Sequence, residues 1–224
     1  MDLGSRVEFH CHSIFSDGEL LPAALIREAE MKGHSCLAIT DHIDASNIES
    51  VIKALTLFAK KMKGKLPIKF IPGVEVSYLQ PQHIAEYCKK ARALGAKIIV
   101  VHGQSPVEPV YPGTNFAAVK AKGYVDILAH PGKITDEEAA LAAKNGVFLE
   151  LTARQGHKKG NQHIAKMALK HGAKLIVDTD CHHQTDLITQ EQAFALCKEA
   201  GLSDKEAIKA IKDNPQELLK RIGR

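Results

Sequence analysis

The sequence has no tryptophan, and only 5% of its 224 residues are aromatic. A protein that holds single strands of nucleic acid by stacking bases needs aromatic platforms, which this composition hardly supplies. Long apolar runs are missing as well. Stretches such as Ile98–Val101 are strand-sized, against the roughly 18–20 residues that a membrane-spanning helix requires. The first residues, Met-Asp-Leu-Gly-Ser-Arg-Val, do not set a basic segment before an apolar one, so no export signal is read and a cytoplasmic location is expected. The five cysteines (Cys11, Cys36, Cys88, Cys181, Cys197) are odd in number and never form a Cys-x-x-Cys pair, which argues against a disulfide framework or a zinc ribbon. No run of five or six basic residues accompanies the net charge of +4. That balance suits a small phosphorylated substrate and announces neither a membrane nor a stable nucleic-acid partner. What the chain does have is histidine: twelve, more than Phe, Met and Trp together. Histidine is the commonest metal ligand and a frequent proton carrier, so the placement of these twelve is the central question.

Short apolar runs alternate with amphipathic stretches almost from end to end. Strands are expected at Val7–His10, Cys36–Thr40, Ile68–Val76, Lys97–Val101, Val125–Ala129, Val147–Leu151 and Lys174–Val177. Helices are expected at Leu21–Lys32, Asn47–Lys63, Pro81–Leu94, Asn115–Lys122, Thr135–Lys144 and Gln162–His171, several of them followed by glycine. Thr135-Asp-Glu-Glu138 has the pattern of a capping box, and Asp213-Asn-Pro215 reads as the start of a terminal helix. Seven strands, each followed by a helix, favour a parallel α/β sheet in one domain, either open and doubly wound or closed into a barrel. The motif-bearing core spans about residues 6–183, with C-terminal helices over about 186–222. In both architectures function sits at the C-terminal ends of the strands.

The chemistry gathers at those ends. Strand one closes with His10-Cys-His12, whose i, i+2 spacing in an extended chain projects both imidazoles to one side and Cys11 to the other. Ser16-Asp17-Gly18 follows in the loop. The next strands end in Thr40-Asp41-His42, Gly73-Val-Glu75, Val101-His102-Gly103 and Ala129-His130-Pro131. The last ends in Asp180-Cys-His182, a second i, i+2 pair. Taken singly, a histidine after a strand is an ordinary loop residue, and Ser-Asp-Gly an ordinary turn. Together, six histidines with Asp17, Glu75 and Asp180 on one face would be costly unless cations balanced them. Imidazole and carboxylate donors without cysteine suit Zn²⁺, Mn²⁺ or Fe²⁺, and nine candidate ligands imply two or three ions. His34, His83, His163 and His171 are read as background on or beside helices, and His183 as exposed or supporting.

This ordered series, from about Val7 to His182, resembles the polymerase and histidinol phosphatase (PHP) superfamily. The resemblance implies a distorted (β/α)7 TIM-like barrel, in agreement with the seven strands counted from periodicity. It also implies a trinuclear site: His10, His12, Glu75 and Asp180 on one ion, Glu75, His102 and His130 on a second, and Asp17, His42 and His182 on a third. Asp41 is expected to support its neighbours rather than ligate. The activity implied is phosphate-monoester hydrolysis, histidinol-phosphate-like, by a hydroxide held between cations. Relatives within the superfamily also suggest a phosphodiesterase or nucleotidase acting on a nucleotide or bisphosphate, and a metal-free RNA-binding scaffold. An amidohydrolase, which also opens with His-x-His on a barrel, would be expected to offer a bridging lysine and fewer ligands. Beyond the metals, Arg154 is expected to grip the phosphate, and His157 to protonate the leaving group or cap a loop. The loop Gly103–Asn115, stiffened by three prolines, is expected to wall the pocket, with Gln104 and Tyr111 reading the organic part of the substrate.

Overall fold

A computed structural model describes residues 2–223. The strands are β1 (Arg6–Glu8), β2 (His34–Ile39), β3 (His42–Ile43), β4 (Lys69–Val76), β5 (Ile98–His102), β6 (Ile127–Ala129), β7 (Phe148–Thr152) and β8 (Leu175–Asp178). The helices are α1 (Pro22–Met31), α2 (Ile48–Lys61), α3 (Pro81–Leu94), α4 (Thr114–Lys120), α5 (Asp136–Asn145), α6 (Asn161–His171), α7 (Gln190–Glu199), α8 (Asp204–Ile208) and α9 (Asn214–Ile222). All strand pairs are parallel, in the order β1-β2-β4-β5-β6-β7-β8, with β3 beside the end of β4.

The seven expected strands are present. β3 is an addition: the second strand breaks at Thr40-Asp41 and resumes for two residues, pairing His42 with Glu75. The capping box at Thr135 forms, its side chain accepting from Glu138 N while Glu138 reaches back to the Thr135 N–H. The terminal helix α9 starts at Asn214, as the Asp213-Asn-Pro215 motif leads one to expect, but not out of a loop. α8 runs through a π-helical turn (Lys209–Asp213) straight into α9, and Asp213 itself has helical dihedrals and makes no capping bond.

Period-two alternation sorts each strand into an outward and an inward row. In β5, Ile99 and Val101 pack outward against helices while Ile98 and Val100 fill the barrel. Phe148 of β7, Ile127 and Ala129 of β6, and Ile176 of β8 point inward likewise, and Leu218 of α9 joins them to close the N-terminal end of the barrel. Each inward row changes character towards the C-terminal end of its strand. Ile71 is followed on the same side by Glu75, Val100 by His102, Phe148 by Glu150, and Ile176 by Asp178. An apolar floor therefore carries an ionisable upper layer.

The seam between the first and last strands uses side chains where a backbone ladder is missing. Phe9 N donates to Asp178 Oδ1 (2.8 Å), and Thr179 N to Glu8 Oε1 (2.9 Å). Glu8 is balanced by the buried Arg6 guanidinium at 2.6 Å. A single parallel bridge, Cys11 with Cys181, completes the closure. Here the alternation slips by one residue: Phe9 faces the barrel interior, yet Cys11 belongs to the outer layer, so His10 and His12 turn inward. All five cysteines are buried and free. No helix of the described residues is long and apolar enough to cross a membrane.

His34, at the opposite end of the barrel from the other strand-end histidines, gives a test of the packing. It is buried, shares a hydrogen bond with the Ile188 carbonyl through Nε2 (2.9 Å), and leaves Nδ1 unpartnered. Burial, reinforced by the Arg6 cation, lowers its pKa to about 4. An unfolded histidine protonates near 6.5. Between these values the unfolded state holds more protons, so stability falls as pH drops through the window, by on the order of 3 kcal/mol at its foot. Urea unfolding at pH 7 and pH 4.5 is expected to show a smaller loss for His34→Gln than for the parent. Equal losses would show that His34 is not the source.

Candidate metal centre

The upper layer of the barrel brings all nine expected ligands together. Glu75, fully buried, is one hub. Its carboxylate lies 2.8 Å from His42 Nδ1, 3.2 Å from His102 Nδ1, 3.3 Å from His10 Nε2, 3.5 Å from His12 Nε2 and 3.9 Å from His130 Nε2. Asp180 is the other, 3.1 Å from His12 Nε2, 3.6 Å from His10 Nε2 and 3.7 Å from His130 Nε2. Asp17, on the more exposed side, approaches His182 Nε2 at 3.2 Å and His42 Nε2 at 3.6 Å. Its loop is fixed from beneath. Gly18 presses so closely on the His12 carbonyl that a Cβ there would sit 2.2 Å from the oxygen, and Asp41 holds Ser13 and Ser16 with hydrogen bonds of 2.7–2.8 Å. Asp41 thus supports the loop, as expected.

Several of these side chains form sets whose donor atoms lie within 4.8 Å of one another: His12, Asp17, His42 and His182; His10, His12 and Glu75; His42, Glu75 and His102. His12, His42 and Glu75 each belong to two of these sets. Both Glu75 oxygens, both His130 nitrogens and His12 Nδ1 are buried without a hydrogen-bond partner. Buried polar atoms in such numbers are costly in a folded protein unless something else satisfies them. A divalent cation fits that donor set of imidazole nitrogens and carboxylate oxygens.

The charges are strongly interdependent. Burial opposes a charge on His10, but the carboxylates of Glu75, Glu150 and Asp180 outweigh it and raise its pKa well above the ordinary value. Burial likewise opposes His102, which Glu75 and Glu108 nonetheless push up to about 10. Burial and the neighbouring His42 lower His12 to about 3. The surrounding imidazoles hold Glu75 and Asp180 well below the carboxylate range in spite of their burial.

Some supporting residues are not evident from the strand-end motifs. Glu150 is fully buried on the inward row of β7, with Oε1 2.7 Å from His10 Nδ1 and Oε2 accepting from His130 N (2.8 Å). Ser77 Oγ meets His42 Nδ1 at 2.6 Å. Glu150 thus takes the far side of the His10 ring, whose Nε2 faces Glu75 and Asp180, the usual way of orienting a metal-binding histidine, whereas Ser77 shares His42 Nδ1 with Glu75. The only sequence signal for Glu150 is its parity with Phe148.

Of the residues expected to meet substrate, Arg154 sits at the cluster, Nε 3.3 Å from Asp180 Oδ2 and Nη1 donating to the Asp180 carbonyl (3.1 Å). His157 is buried with its ring centroid 4.5 Å from that of His130. Gln104 has a different task. Its amide oxygen accepts from Gly113 N and Asn115 N, both at 3.1 Å, bracing the loop 103–113. Tyr111 lies half-exposed on that loop, and the tyrosine that meets the histidines is Tyr78, 5.0 Å from the His102 ring. His183 is exposed, against Glu19.

Among the described residues, three non-glycine residues have left-handed backbones: Tyr78 (φ 55°), His130 (φ 27°) and Asp180 (φ 51°). All three stand at this cluster, where such strain is commonly stored.

A model of the PHP domain family matches residues 8–122, just over half of the chain. The chain belongs to the PHP domain family. An uncharacterized protein of Methanocaldococcus jannaschii, MJ1295, is 44% identical over 218 residues, covering 97% of this chain and 100% of its own. A Thermoanaerobacter protein named probable phosphatase is 26% identical and covers 88% of both chains. Among solved structures, histidinol phosphate phosphatase from Lactococcus lactis, complexed with zinc, L-histidinol and phosphate, superposes with a TM-score of 0.62 at 16% identity, covering 89% of this chain and 95% of that one. A chain of archaeal ribonuclease P with mature tRNA gives 0.68 at 18%, covering 97% and 89%. At these identities the two structures speak for the fold, a parallel barrel. The PHP match ends at residue 122, before His130, Asp180 and His182. The barrel, closing on itself, brings those three to the donors inside the matched stretch.

Proposed function

We propose that this PHP chain is a metal-dependent phosphatase that hydrolyses a small phosphate monoester, histidinol-phosphate-like in size, at a site holding up to three divalent cations. The observation that carries this reading is the convergence of six imidazoles with Glu75, Asp180 and Asp17 around buried donor atoms that no protein group satisfies. His10, His12, Glu75 and Asp180 would hold one cation, Glu75, His102 and His130 a second, and Asp17, His42 and His182 a third. Zn²⁺, Mn²⁺ and Fe²⁺ suit the mixed nitrogen and oxygen donors. When bound, such ions supply Lewis-acid neutralisation of phosphoryl oxygens and a water acidified to near neutrality.

The remaining work falls to the chain itself. Arg154 is part-exposed beside Asp180, so its guanidinium has free N–H groups to place on two oxygens of an incoming phosphate. His157, beside His130, is within reach of the leaving-group side and can pass a proton to the departing oxygen. The apolar barrel floor below Glu75 and His102 keeps bulk water out from beneath, which strengthens each of these electrostatic contacts. The phosphatase names among the relatives support the same reading.

The test is metal analysis of the purified protein, followed by a panel of L-histidinol phosphate, mononucleotides, a 3′,5′-bisphosphate and a chromogenic diester with Mn²⁺ and Zn²⁺. Two to three metals per chain with monoester turnover is the expected result. Preferred turnover of diester or bisphosphate would move the chain to nucleotide processing. Folded protein with neither metal nor turnover would overturn the proposal and leave a scaffold role.

A further inference from the structure

The loop 103–113 reaches over the mouth of the barrel and sets down one carboxylate, Glu108. Its Oε2 lies 2.5 Å from His102 Nε2 and accepts a hydrogen bond from the Tyr78 hydroxyl at 3.0 Å. Its Oε1 lies 3.4 Å from His157 Nε2. Those three partners come from the end of β5 and from the segments after β4 and β7, so one side chain ties three parts of the rim. His102 is held between two carboxylates, Nδ1 towards Glu75 at 3.2 Å and Nε2 towards Glu108.

Glu108 does not arrive there by chance mobility. Gln104 closes the loop on itself through Gly113 and Asn115, and Asn115 Nδ2 donates to the Pro131 carbonyl (2.9 Å) beside His130. Gly103 passes so near the Ala129 carbonyl that a Cβ would lie 2.2 Å from it, which locks the root of the loop to the end of β6. Prolines 106, 109 and 112 restrict what lies between.

We propose that Glu108 is a positioning residue that couples the mouth loop to the metal centre, fixing the His102 ring from its outer nitrogen while anchoring Tyr78 and His157. This rests on the metal-binding part of the functional reading. The coupling works in both directions: a cation that captures the inner face of His102 steadies the loop, and a loop that holds Glu108 in place raises the affinity of the cation shared by Glu75 and His102.

The experiment is a Mn²⁺ titration of the full chain, with free ion counted by its electron paramagnetic resonance signal, alongside hydrogen exchange of the peptide spanning residues 103–115. In the parent, Mn²⁺ is expected to slow exchange in that peptide. Glu108→Ala is expected to weaken one bound Mn²⁺ by about 10–100-fold and to abolish the metal-dependent slowing, while Glu108→Asp restores part of both. Should Glu108→Ala fold poorly, Glu108→Gln and Tyr78→Phe read the same coupling. Parent-like affinities in a folded Glu108 variant, or a parent loop indifferent to Mn²⁺, would overturn the inference alone. A parent that takes up no metal would instead overturn the phosphatase reading.

Discussion

Replacing Glu75 by alanine is expected to cut kcat/KM towards a phosphomonoester by at least about 10³-fold, equivalent to about 4 kcal/mol of lost transition-state stabilisation. The size of the effect follows from position. Glu75 is the one carboxylate within 4 Å of five of the six cluster imidazoles, and it lies on the inward row where no water substitutes for it. Its removal strands His102 and His130 without their shared anion, and on the proposed ligand sets it would take a donor from each of two cation sites. Glu75→Gln is expected to fare almost as badly, because an amide offers N–H groups to neighbours that need an acceptor. Steady-state kinetics paired with metal content on the same sample decides the matter. A Glu75→Ala protein retaining a tenth of parental activity would remove Glu75 from the hub.

The second large effect is on stability. Stripping the cations with a chelator is expected to lower the melting temperature by on the order of 10 °C. An ion present at a thousand times its dissociation constant contributes about 4 kcal/mol, and each kcal/mol moves the midpoint by roughly 2–4 °C in a chain of this size. Metal-free protein does not leave the cluster uncompensated, because protons take the place of cations. His10 is raised well above its ordinary pKa by three carboxylates against the cost of burial, and His102 is raised to about 10. Adding Zn²⁺ near neutral pH is therefore expected to release protons, measurable with an indicator dye in weak buffer. A melting temperature unmoved by chelation, with no proton release on adding metal back, would contradict this account.

Much of the architecture is legible from residue order, for a physical reason. Parallel strands covered on both faces read as short Val, Ile and Leu runs, and their ends show where polar side chains replace apolar ones on the same inward row. Ile98-Ile-Val-Val-His102 displays the rule completely. β3 escapes because two residues carry no period, and its pairing depends on how far β4 extends. The expected ligands are legible since all but Asp17 lie at or near the C-terminal ends of strands. The partners that orient them are not, because they meet only when loops fold across one another. Glu108 and Tyr78 are thirty residues apart and converge through two turns. Gln104 shows what residue order cannot give: beside His102 it reads as a substrate contact, and the fold adds that the backbone amides of its own loop take its side-chain oxygen.

The seam between β1 and β8 bears on how the molecule assembles in time. Its two carboxylate-to-backbone bonds join residues 169 and 171 positions apart, and the ligand pairs His10/His12 and Asp180/His182 flank the same seam. Contacts that distant form late, since the intervening segments must be arranged before the ends can meet. During synthesis the early half, with its histidines and Glu75, emerges without Asp180 to complete the set. On the proposed ligand sets, metal capture at full strength would be a checkpoint on a finished barrel: ions held by both pairs would clasp the first and last strands together, and a partly made chain would have nothing to clasp.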